Sequence, residues 1–152
     1  MAAQEARGYG ELYGEHAVIQ NSFPPDHRAF YPSLNFLPLA TLDEQGRPWM
    51  SILTGADGRR GFCETDGTAR ITGKEEESRL HLRVAMGPDD PATANLKNGA
   101  KLGGLDRKVA GVGLELLNRR RNKFAGLVKQ VLAPDQAGEE WEITLSVDNV
   151  LG

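Results

Sequence analysis

The sequence predicts a mainly β protein: an antiparallel barrel, closed or partly closed, with few helices. Three observations predict it. Short stretches with strand patterning recur from residue 36 onward, and turn-forming Asp, Gly and Pro separate them. Only one interior stretch, "DDPATANLKN" (89–98), carries a full set of helix signals. The chain has 152 residues and 18 glycines, which suits one compact domain rich in turns.

Residues 1–25 are Gly- and Glu-rich with isolated aromatics and read as a flexible N-terminal arm; residues 26–152 read as the domain. In "SFPPDHRAFYPSL", Asp26 can cap a short helix running to Phe30 or Tyr31, which Pro32 would end. "FLPLATL" (36–42) is apolar at nearly every position, as in a strand covered on both faces. "DEQGRP" (43–48) is turn chemistry and "WMSILTG" (49–55) is the returning strand, so the two form a hairpin. "RRGFCET" (59–65) and "TARITG" (68–73), joined by Asp-Gly, predict a second hairpin. "SRLHLRVAM" (78–86) alternates, with Leu80, Leu82 and Val84 on one face and Arg79, His81 and Arg83 on the other. The interior helix follows, with Asp89 or Asp90 as its cap, Pro91 in its first turn and Gly99 after its end. Three more strands follow, the last with Trp141, Ile143, Leu145 and Val147 inward and Glu142, Thr144 and Ser146 outward.

The formal net charge is −3, which argues against a general binder of nucleic acid or of an anionic membrane. The lone cysteine, Cys63, reads as a small buried residue, and His16, His27 and His81 show no metal-ligand spacing. No apolar run is long enough to cross a bilayer as a helix. The N-terminus lacks the basic start and apolar core of a signal peptide, so the cytoplasm is the expected compartment.

The stretch that invites a functional reading is "NRRRNKFAG" (118–126), which follows the nearly uncharged "VAGVGLELL". Taken as one strand from 109 to 122, Ala110, Val112, Leu114 and Leu116 share a face that continues as Asn118, Arg120 and Asn122. A row that begins as core would then end in guanidinium and amide groups at a barrel rim. Arginine suits phosphate, because its planar fork donates two parallel hydrogen bonds and stays charged. The plainer alternative is a solvated or ion-paired run, facing the 21 acidic residues of the chain. Gly111 and Gly113 favour close approach of a backbone or a flat ring.

Two motifs carry a resemblance. "FLPLATLDEQGRPWMSILTG" followed by "RRGFCET" is similar to the first strands of the FMN-binding split-barrel proteins, the pyridoxamine 5'-phosphate oxidase-like family, and "GVGLELLNRRRNKFAG" resembles a signature of its flavin-nucleotide-binding subgroup. The resemblance spans roughly residues 27–151. It implies a split β-barrel of the FMN-binding type, a homodimer, and FMN in a groove between protomers. The oxidase proper carries Arg and Lys on its second strand for the FMN phosphate; here that strand has Ser51 and Thr54, and the oxidase's C-terminal substrate residues have no counterpart. The domain also reads as shortened after "VDNVLG".

On this resemblance the cofactor-binding candidates are Trp49, Ser51, Thr54, Arg119, Arg120, Arg121 and Asn122, with Glu64 and Thr65 as weaker contacts to the ring or ribityl chain and Lys123 toward solvent. Each has a plainer role: strand filler for Ser51 and Thr54, core or dimer contact for Trp49. No spacing supports a nucleophile–base pair, so catalytic chemistry would be the flavin's own, with transfer to a nicotinamide nucleotide, a quinone-like acceptor or oxygen. The expected function is a flavin-dependent oxidoreductase of unknown substrate. The alternative is a non-catalytic module for FMN or another planar anionic cofactor, haem or F420. A structural dimer without ligand is the third reading.

Overall fold

The computed structural model describes residues 19–20, 22–66, 78–102, 107–136 and 138–152. In chain order the elements are helix α1 (Pro25–Phe30) with a 3-10 turn (Tyr31–Ser33), strands β1 (Leu37–Leu42), β2 (Pro48–Leu53), β3 (Cys63–Thr65) and β4 (Ser78–Val84), helix α2 (Pro91–Leu102), and strands β5 (Lys108–Glu115), β6 (Arg120–Leu132) and β7 (Trp141–Leu151). The strands form one antiparallel sheet in the order β2-β1-β5-β6-β7-β4-β3. An isolated bridge between Thr54 and Ala85 ties the end of β2 to the end of β4. That bridge curls the sheet toward closure, so the expected mainly β, barrel-like class is the one observed.

The alternating strands behave as patterned. In β4, Ser78, Leu80, Leu82 and Val84 are buried, while Arg79 and Arg83 are exposed. In β7, Trp141, Ile143, Leu145 and Val147 are buried; Ser146, expected outward, is buried too. A register shift between Ala125 and Gly126 sits opposite Val147 and Asn149 and breaks the period there. At Gly126 a Cβ would overlap the Ser146 carbonyl, so only glycine lets β6 and β7 approach this closely. β1 alternates between buried Leu37, Leu39 and Thr41 and half-buried Pro38, Ala40 and Leu42, so only one of its faces is fully covered within the chain.

The helices differ from expectation in detail. Pro24, not Asp26, is the N-cap of α1, without a side-chain cap bond, and Asp26 lies in the first turn. Asp90 does cap α2, accepting from the Ala92 N–H at 2.9 Å. The helix runs through Gly99 to Leu102, because Ala92 and Leu96 are anchored in the core and the glycine's modest penalty does not end it. Asn95 of α2 donates to Thr41 of β1 at 3.0 Å, both buried. The second strand of the expected 59–73 hairpin lies outside the described residues; β3 pairs with β4 instead. Part of the proposed arm is tied down, since Gln20 exchanges two backbone hydrogen bonds with Val150 and Phe23 is buried.

Candidate functional site

The arginine run does not continue β5. That strand ends at Glu115, residues 116–119 form a turn, and β6 starts at Arg120, opposite Glu115. Arg119 sits in the turn at φ 54, the left-handed region that a non-glycine residue enters at a cost. The hairpin reverses the face assignment on β5. Val109 and Gly113 are buried, whereas Ala110 is exposed and Val112 and Leu114 are half-buried on the outward face. The inward positions are glycines because rings occupy the space above them: Phe124 covers Gly111 and Phe30 covers Gly113. The flat rings that the two glycines admit are therefore the protein's own.

Arg120 and Asn122 do extend an inward row, but it is the row of β6, continuing to Phe124, Gly126 and Val128. Arg120 lies at the rim. Its guanidinium donates to Asp26 at 2.8 Å and stands over the Phe30 ring, 4.9 Å from the centroid. The anion that a rim arginine needs is thus supplied by α1. Below it Asn122 is 2% exposed, and its carbonyl accepts from the Tyr31 hydroxyl at 3.2 Å. Tyr31 stacks edge-on with Phe30 and Phe124, and burial holds its phenol well above the ordinary range. The inside of the barrel at this end is filled by α1, not open to a ligand.

Arg121 and Lys123 have the opposite parity. Arg121 pairs with Leu114 and Lys123 with Val112, so both cations stand on the outward sheet face. One strand row further, Ala40, Ala110 and Ala125 align across β1, β5 and β6, with Met50 of β2 and Asn149 of β7 at its ends. These alanines line a shallow groove of about 290 Å³, bordered by Leu42, Lys108 and Leu127. Arg121 and Ala125 are four residues apart, about 13 Å along the strand. Nearby on the same face, Met50 and Ile52 are 62% and 65% exposed. The groove is floored by alanines and bordered by both Lys108 and Asp148, while Lys123 and Arg121 stand further along the outward face of β6; such a floor suits a flat apolar ring.

The β2 candidates lie elsewhere. Ser51 is buried, and its hydroxyl donates to Asp90 at 2.5 Å, which locks β2 to the start of α2. Trp49 has the parity of Ser51 but lies at the strand's open end, where its indole N–H donates to Asp43 at 3.0 Å. Thr54 makes the closing bridge to Ala85. Thr65 donates to the Arg28 carbonyl at 3.2 Å, and Glu64 pairs loosely with Arg83 at 3.7 Å. β2 and β6 are separated by β1 and β5, about 14 Å across the sheet. Within one chain the structure does not bring Trp49, Ser51 and Thr54 together with residues 119–122. Sequence reading missed Lys108 and the alanine row; the available signal was small residues at matching parity on three strands. Cys63 is buried, which pushes its thiol pKa far up and leaves it unreactive.

Among the described residues no group of His, Cys, Asp and Glu could hold a metal ion, and no helix is long and apolar enough to cross a membrane. No family model and no curated protein matches the chain. Solved structures do. A candidate pyridoxamine 5'-phosphate oxidase from Lactobacillus delbrueckii superposes at TM-score 0.54 and 16% identity, over 88% of this chain and 96% of that one. An F420 reductase gives 0.52 and 13%, over 84% and 98%. The HupZ protein of Group A Streptococcus, in a histidine-to-alanine variant, gives 0.52 and 8%, over 84% and 96%. With the sheet order, the closing bridge and these superpositions together, the chain has the split-barrel fold of the pyridoxamine 5'-phosphate oxidase-like proteins.

Proposed function

We propose that the protein binds FMN on the outward sheet face and works as a flavin-dependent oxidoreductase, as a homodimer in the cytoplasm. The observation that carries this reading is the alanine-floored groove bordered by Lys108, with Lys123 and Arg121 further along the same face of β6. The residues present fit the group. Ala40, Ala110 and Ala125 leave room for a flat ring, and Arg121 with Lys123 meets a dianionic phosphate without having to release a buried partner. Bound FMN would supply hydride or electron transfer, with a nicotinamide nucleotide as the donor class. The chain's own part is to hold the phosphate by charge, seat the ring on apolar floor, and exclude water from it.

The groove is shallow, and Met50 and Ile52 beside it are largely exposed. A second copy laid on this face would bury both and roof the ring, whereas Trp49 and Ser51, of opposite parity, would stay on the other face of β2. The F420 reductase among the similar folds keeps the alternative in view, a module that binds F420, haem or FMN without turnover.

The test is the visible spectrum of freshly purified protein, followed by release and identification of any chromophore. A flavin spectrum that NADH or NADPH bleaches without oxygen is the expected result. A flavin spectrum that neither reductant changes supports the non-catalytic module. Colourless protein that takes up none of added FMN, F420 and haem refutes both.

A further inference from the structure

The corner where α1 meets the start of β6 holds a buried titratable group that the cofactor reading does not use. His27 of α1 is 4% exposed. Its Nδ1 has no hydrogen-bond partner among the described residues, and the same is true of buried Asn122 Nδ2 and Arg28 Nε. Asn122 beside His27 already leaves one donor unmet there. A neutral imidazole tolerates this, because Nδ1 can stand as a bare acceptor. An imidazolium must carry N–H at that atom and would add a further unmet donor.

The surroundings are tight. The end of β7 reaches His27, where a side chain at Gly152 would overlap Nε2 and also crowd the Asn122 amide oxygen. Among the described residues, the charges that act on the imidazole are Asp26 of α1, which favours its cation, and Arg120 of β6, which disfavours it; Arg28 adjoins it in the helix. Burial outweighs the carboxylate, and the His27 pKa falls below 6.5. Above His27, Arg120 is held by Asp26, so the helix, the ion pair and the imidazole form one unit closing this end of the barrel.

We infer that α1 is a proton-sensitive stopper of the barrel: when His27 takes up a proton, the helix lifts from the start of β6 and Arg120 loses its Asp26 contact. The sign follows from linkage. A histidine whose folded pKa is depressed binds fewer protons folded than open, so the closed corner is fully favoured above about pH 6.5 and loses that advantage as pH falls toward the folded pKa. Opening exposes Phe30 and Tyr31, two of the largest buried side chains at that end.

The test is amide hydrogen exchange on the ligand-free protein from pH 7.5 to 5, corrected for intrinsic rates, which makes it independent of any cofactor. In the wild type the opening constant of residues 25–33 and 120–124 should rise up to about tenfold per pH unit below about 6.5, while β4 keeps its protection. His27→Gln should flatten that rise. Asp26→Asn removes the Arg120 ion pair along with the charge that favours the imidazolium, so it should raise opening at every pH and carry the rise on to lower pH; this variant decides the matter if His27→Gln fails to fold. A flat wild-type profile, an undiminished rise in His27→Gln, or an Asp26→Asn profile that coincides with the wild type would overturn the inference.

Discussion

Arg120 and Arg121 are neighbours in the chain and face opposite environments. Arg120 has a carboxylate at 2.8 Å and a phenyl ring beneath it; Arg121 stands on the outward face across from Leu114. Replacing Arg120 with Ala should therefore lower folding stability by about 1 kcal/mol, the sum of a half-exposed ion pair and a cation–π contact, as read from urea denaturation. Asp43 is a second single-residue case. Hydrogen bonds from the Trp49 indole, the Arg47 backbone and side chain, and the Gln45 N–H hold its carboxylate pKa down to about 2. A depressed carboxylate stabilises the fold above its unfolded pKa, near 4, and that contribution fades as pH falls toward 2. The Trp49 indole proton, followed by NMR, should hold its shift down to about pH 3 and move with a midpoint near 2. A midpoint near 4 would mean that the turn does not hold the indole as described.

At the scale of elements, strand patterning was legible wherever both faces carried side chains. β4 and most of β7 follow their hydropathy alternation, and the 36–55 hairpin pairs Leu37 with Leu53 through to Leu42 with Pro48. β5 shows why the rule fails. Two of its inward positions are Gly111 and Gly113, which carry no hydropathy, because Phe124 and Phe30 fill the volume from elsewhere. The visible apolar row, Ala110, Val112 and Leu114, is the outward one. A local pattern cannot register a ring supplied by another element, and the error moved the arginines to the wrong strand. The turn that separates them makes its own prediction. Arg119 holds a left-handed φ of 54, so Arg119→Gly should stabilise the protein by about 0.5–1 kcal/mol in thermal or chemical denaturation. A loss of stability would mean that the arginine side chain contributes more than its backbone strain costs.

For the whole molecule, α1 fills one end of the split barrel, Ala92 and Leu96 of α2 sit in the core, and the outward face of β1 and β2 carries exposed apolar side chains. A monomer seldom leaves Met50 and Ile52 so exposed beside an alanine floor without a use for them. If that face is the dimer contact, Ala110→Arg should convert the protein to monomer in sedimentation velocity while circular dichroism stays unchanged. A dimer of wild-type strength in that variant would place the contact elsewhere. The fold was readable from the motif "FLPLATLDEQGRPWMSILTG" and the frequency of turns. The candidate site was readable only as a basic cluster, since which arginine faces outward depends on a four-residue turn.

FMN affinity of the Arg120→Ala and Arg121→Ala proteins, each measured by quenching of flavin fluorescence and set against the wild type, tests the outward-face site most directly. Loss of one charge-assisted phosphate contact, about 1.5–3 kcal/mol, should weaken Arg121→Ala roughly ten- to a hundredfold and leave Arg120→Ala within about threefold of the wild type. The reverse order, with Arg120→Ala weakened and Arg121→Ala unaffected, would place the anion at the barrel rim and contradict the account.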